Sequence, residues 1–88
     1  MTKVALVTGA SYGVGAATAL ALVRDGFAVA LTATRVQNLE PVVAKIKAAG
    51  GRVDAIELDL RSQASIEAAV AGAVKALGAI DVLVNNAG

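Results

Sequence analysis

The apolar residues of this chain alternate between two spacings, and that alternation restricts the fold more than any other feature. Val4-Ala5-Leu6-Val7 is a short unbroken apolar run that stops at Thr8-Gly9. Runs of this kind suit strands covered on both faces, as in a parallel sheet. From Gly13 onward Val14, Ala17, Ala21 and Leu22 fall at helical spacing, and Gly26 suits the helix end. Residues 27–32 read as a second strand. Leu39, Val42, Val43 and Ile46 then recur as i, i+3, i+4, i+7, the stripe of an amphipathic helix, with Asn38 as its expected N-cap, Pro41 in its first turn and Gly50-Gly51 as its stop. Residues 53–58 form a third strand. Ser62 caps a third helix whose apolar face is Ile66, Ala69, Val70, Ala73, Val74 and Leu77, and Gly78 ends it. Residues 80–84 form the fourth strand.

The order is β-α-β-α-β-α-β, which predicts an α/β fold with a parallel sheet. Right-handed crossovers and the dinucleotide-fold strand order 3-2-1-4 place the first two helices on one face and the third on the other. One helix cannot cover a face of four strands, and the fourth strand ends the sheet as an apolar edge, so this Rossmann-type doubly wound fold is expected to be incomplete. Composition agrees. Of the 88 residues 57% are hydrophobic but only 2% aromatic, and mean hydropathy is +0.70, more apolar surface than one small domain easily hides. The expectation is a single unit, residues 1–88, that lacks a partner or further chain and self-associates through the exposed fourth-strand edge.

The turn after the first strand carries the chemistry. Thr8-Gly9-Ala10-Ser11-Tyr12-Gly13-Val14-Gly15 leaves a strand and opens a helix. Gly9 allows the tight turn, Gly13 lets the backbone approach a pyrophosphate, and Gly15 lets the helix pack closely. Free N–H groups and the helix dipole favour phosphate there. Thr8 and Ser11 add hydroxyls that brace the loop or donate to phosphate. No Gly-Lys-Ser/Thr follows, which excludes a P-loop.

The spacing T-G-x-x-x-G-x-G resembles the cofactor signature of the short-chain dehydrogenase/reductase family. Asn85-Asn86-Ala87-Gly88 resembles that family's N-N-A-G after the fourth strand, and Asp59-Leu60 resembles its acidic segment after the third strand, where the acid meets the adenine ring. The resemblance implies that Thr8, Gly9, Ser11, Tyr12, Gly13, Val14, Gly15, Asp59, Leu60, Asn85, Ala87 and Gly88 bind the cofactor. It also implies hydride transfer between a nicotinamide and a carbonyl or alcohol carbon, in a parent protein that is a homo-oligomer.

Choice of cofactor is decided after the second strand. An acid there would bind the ribose 2′-OH of NAD and repel the 2′-phosphate of NADP. The segment is Thr32-Ala33-Thr34-Arg35-Val36, with Ala33 where NAD-binding relatives carry the acid. Arg35 is positioned to pair with the phosphate and Thr34 to donate to it, so NADP(H) is expected over NAD(H). Tyr12 stands where many NADP-preferring relatives carry a basic residue, and Arg35 lies one position beyond the most familiar basic site.

The family's catalytic Ser and Tyr-x-x-x-Lys lie beyond N-N-A-G. The sole tyrosine, Tyr12, has Ala16 four positions on, not Lys. With no His and no Cys, there is no substitute acid/base pair and no thiolate metal site. These residues alone are therefore expected to bind a dinucleotide without turning it over.

Net charge is +1 with the charges interspersed, so no nucleic-acid partner is expected. The longest apolar candidate, residues 13–23, is shorter than the roughly 20 residues a membrane span needs. No signal peptide is recognisable, and a cytoplasmic location is expected. Three readings stay open at this point: the nucleotide-binding half of an NADP-dependent reductase, a stand-alone nucleotide-binding or interaction module, and a non-functional gene fragment.

Overall fold

The computed structural model of the chain describes residues 2–11 and 13–86. Its elements run β1 (Val4–Thr8), α1 (Gly13–Arg24), β2 (Ala28–Ala33), a 3-10 turn (Val36–Leu39), α2 (Glu40–Ala48), β3 (Val53–Glu57), α3 (Gln63–Leu77) and β4 (Val82–Asn85). All four strands are parallel, as the alternation of periods predicts, and they stand in the order β3-β2-β1-β4 expected of the dinucleotide fold.

The unbroken apolar runs become the two central strands. Every residue of β1 and β2 is buried. β4 lies at the edge and alternates half-buried with exposed. Register explains the alternation. Leu83 pairs with Leu6, and Val82 and Val84 pair with Ala5 and Val7 on the opposite face.

The two faces carry separate cores. Ala5, Val7, Val29 and Leu31 meet Ala19 of α1 and Val42 and Ile46 of α2, with Leu39 of the 3-10 turn. On the other face Leu6 and Ala30 meet Ala73 of α3. The first two helices therefore share one face and the third takes the other.

Three local readings change. In α1 three residues of the predicted stripe, Val14, Ala17 and Ala21, are exposed, Val14 at 73%, and the fourth, Leu22, packs against the core; Gly15 and Ala19 are buried, and Ala16, Leu20 and Val23 pack behind them. The helix is apolar nearly all round, so its spacing offers no polar face to orient it. The face that wins is the one with the smallest side chains near the strand, which permits close approach.

Asn38 is not the cap of α2. It lies inside the 3-10 turn, donating its N–H to the Arg35 carbonyl at 3.0 Å, and the residue before α2 is Leu39, which makes no side-chain cap bond. A 3-10 turn feeding straight into a helix supplies backbone acceptors in place of a side-chain cap. Strand limits also shift by one or two residues. Leu58 falls just past β3, although its N–H still donates to the Ala33 carbonyl at 3.0 Å. Ser62 does cap α3, its hydroxyl accepting from the Ser65 N–H at 3.2 Å.

Candidate functional site

The carboxyl ends of β1, β2, β3 and β4 lie side by side, and this is where ligands bind in open parallel sheets. The turn leaving β1 is fixed from two directions. The Ala10 N–H donates to the Thr32 carbonyl of β2 at 3.1 Å, and Ala10 itself is fully buried. On the other side the Thr8 hydroxyl lies 3.1 Å from Asn85 Oδ1, and the Asn86 N–H donates to Thr8 Oγ1 at 3.0 Å. Thr8 is 5% exposed, so its hydroxyl ties the ends of β1 and β4 together.

Two glycines show why this turn tolerates no other residue. Gly13 opens α1 at φ +60, a left-handed conformation, and a Cβ built there would meet nothing within 4 Å. Its backbone thus faces open space at the helix N-terminus, where the first N–H groups have no partner within the helix. Gly15 is the reverse case. A Cβ there would collide with the Gly9 carbonyl and come within 3.1 Å of the Ala10 Cα. The lack of a side chain at Gly15 seats the first turn of α1 against the loop. An approachable backbone at Gly13, set at a positive dipole end, fits a pyrophosphate.

Beside the turn lies an open cavity of about 260 Å³, lined by Gly9 and by residues 32–34 and 58–61. It brings together Gly9, Thr34, Asp59 and Leu60, all singled out by sequence. Arg35 is exposed and begins the 3-10 turn without lining the cavity. Next to it the Val36 N–H lies 3.5 Å from Glu57 Oε2. Ser11 and Val14 stay on the glycine turn, and Asn85 stays at the end of β4. Tyr12, Ala87 and Gly88 lie outside the described residues.

Asp59 is held in the cavity wall through both its backbone and its side chain. Its backbone N–H donates to Ser65 Oγ at 3.0 Å, and its carbonyl accepts from the Ser62 N–H at 3.0 Å. Its carboxylate accepts from the Arg61 backbone N–H at 3.0 Å and from the Arg61 Nε at 3.1 Å. The Arg61 side-chain bond, helped by the Arg61 backbone bond, holds the Asp59 carboxyl below the usual carboxylate range, so it is ionised at neutral pH. Sequence reading missed Arg61 and Ser65. The spacing Asp59-x-Arg61 was the available signal, but residues two apart meet only when the chain turns between them.

Among the described residues no cluster of His, Cys, Asp or Glu is arranged to hold a metal, and no helix is long and apolar enough to cross a membrane.

The chain matches the model of the short chain dehydrogenase family over residues 3–88. It is 48% identical over 86 residues to the short-chain reductase protein NovJ of Streptomyces niveus, an alignment covering 98% of this chain and 33% of that protein. The actinorhodin polyketide ketoreductase, solved with NADPH, superposes with a TM-score of 0.93 at 41% identity, covering 99% of this chain and 33% of that one. A metagenomic short-chain oxidoreductase in complex with NADP superposes with a TM-score of 0.92 at 48% identity, covering 98% of this chain and 39% of that one. The chain thus spans between a third and two fifths of the length of these three relatives.

Proposed function

The chain belongs to the short-chain dehydrogenase family, and we propose that it is the part that holds NADP(H) in a reductase acting on a carbonyl or alcohol carbon. The observation that carries this reading is the pairing of Gly13 and Gly15, one open to a ligand and one closed onto the loop, beside a cavity that ends at Asp59. Solved relatives that bind NADP or NADPH support the class of cofactor. Bound there, the nicotinamide would supply the hydride chemistry.

The residues of this chain bind and orient. The backbone at Gly9, Ser11 and Gly13 cradles the pyrophosphate, with Val14 and Gly15 setting the helix that faces it, and the family resemblance adds Tyr12 to the cofactor-binding residues. Asp59 and Leu60 receive the adenine. Asn85, braced by Thr8, stands on the nicotinamide side, and the family resemblance adds Ala87 and Gly88 to the cofactor-binding residues. Thr34 and Arg35 receive the 2′-phosphate, and Ala33 offers it no repelling carboxylate.

None of the 88 residues supplies a histidine, a cysteine or a Tyr-x-x-x-Lys pair, so the reading is one of binding without turnover by these residues alone. The same reading places the protein in the cytoplasm and gives the β4 edge, where Leu83 is 64% exposed, to self-association.

Dissociation constants for NADPH and NADH test the cofactor assignment. A charge-assisted hydrogen bond is worth roughly 1.5–3 kcal/mol, so NADPH should bind about ten-fold to hundred-fold more tightly, and Arg35→Ala should remove most of that gap. Equal constants, unchanged in Arg35→Ala, would sink the assignment.

A further inference from the structure

Arg61 forms an ion pair with Asp59 in which the two side chains are 90% and 45% exposed. A pair so open to water contributes little to folding. Its geometry is nevertheless specific. The Arg61 backbone N–H and Nε both donate to Asp59 Oδ1, at 3.0 and 3.1 Å. That uses the two lone pairs of this oxygen. Asp59 Oδ2 receives only the guanidinium NH2, at 3.4 Å, and keeps a lone pair free. The backbone of Asp59 is held on both sides by Ser62 and Ser65, and Asp59 and Arg61 both line the cavity, so the free acceptor belongs to a residue with a fixed place in its wall.

We propose that Arg61 is a positioning residue for the purine end of the ligand: it occupies Oδ1 and presents Oδ2 as the single acceptor, so that the site selects a purine bearing an exocyclic 6-amino group over one bearing a 6-oxo group. An amino group donates to that oxygen, whereas an oxo group meets it with like partial charge. This rests on the reading that Asp59 receives the adenine. Without its guanidinium partner the carboxylate keeps only the backbone tether on Oδ1 and is free to turn. Selection should then weaken although the charge of Asp59 is unchanged.

The test compares binding of NADP+ with binding of its hypoxanthine counterpart, in which the 6-amino group is replaced by oxygen, to the intact protein. The unaltered protein should prefer the adenine form by about ten-fold to hundred-fold, the worth of one hydrogen bond to a charged group. Arg61→Ala should cut that preference by at least about three-fold, chiefly by weakening the adenine form. Asp59→Ala, which removes both acceptor oxygens, should abolish the preference. Arg61→Gln, which keeps a polar side chain of similar length, guards against a surface effect particular to alanine, and far-UV circular dichroism reports whether each variant is folded.

An unchanged preference in both Arg61 variants, with Asp59→Ala still abolishing it, would overturn the role of Arg61 and leave the adenine reading standing. Equal losses for both dinucleotides in the Arg61 variants would also overturn it, since that pattern marks general attraction to phosphate. A preference that survives Asp59→Ala would overturn the adenine reading itself, and this inference with it.

Discussion

On the side of the sheet covered by α1 and α2, Leu31, Leu39 and Ile46 are wholly buried among the side chains of both helices. On the α3 side the buried cluster is Leu6, Ala30 and Ala73, while Val70, Val74, Leu83 and Leu60 stay between 39% and 64% exposed. A groove between α3 and β4 has Ile66, Val70 and Leu83 in its walls. The closed face therefore supplies most of the apolar burial, at about 1.5–3 kcal/mol for each large side chain fully removed from water. It also packs Ala10 of the glycine turn into its core. The open face contributes less burial, yet Asp59, Arg61 and the Ser62 cap sit at the start of its helix. The site joins a half packed into the core of the closed face to a half held mainly by hydrogen bonds.

Substitutions can break this contrast, in descending order of effect. Gly15→Ala should cost about 4 kcal/mol or more, because the new methyl meets backbone of Gly9 and Ala10 that has nowhere to move. Loss of the cooperative urea transition would show it. On the same face Ile46→Ala should cost about 3 kcal/mol through transfer and cavity effects, read as a fall in the denaturation midpoint. Ser62→Ala removes the cap of α3 and should cost about 1 kcal/mol.

On the open face Val74→Ala should change stability by less than about 0.5 kcal/mol, since Val74 is 43% exposed and alanine favours the helix. If Val74→Ala cost as much as Ile46→Ala, the two faces would not differ as described. Leu83→Lys should leave the unfolding midpoint nearly unchanged and reduce self-association at the β4 edge, measured by sedimentation.

The parallel sheet was legible because unbroken runs and helical spacings alternate along the chain, and the split of helices between faces and the edge position of the fourth strand followed from the dinucleotide-fold strand order with right-handed crossovers. The glycine turn was legible because its residue types answer to backbone demands. The orientation of α1 was not. Val14, Ala17 and Ala21 lie at helical spacing, but so do Ala16, Ala19 and Val23, and only contact with the sheet selects the second set. The start of α2 was hidden for a related reason: Asn38 has the chemistry of a cap, but the turn before it already supplies backbone partners. Arg61 was invisible because an interaction across two residues depends on the local bend after β3, which residue identity alone does not specify.

The most direct measurement is a map of backbone amide chemical shifts as NADP+ is added. The account predicts that the amides of Gly9, Ser11, Gly13 and Gly15, of Thr34 and Arg35, and of Asp59 to Arg61 move in a saturable way. Those at the opposite end of the sheet, around Gly51 and Arg52, should stay still. Shifts confined to the apolar groove between α3 and β4, or spread evenly over the molecule, would contradict a dinucleotide site at the carboxyl ends of the strands.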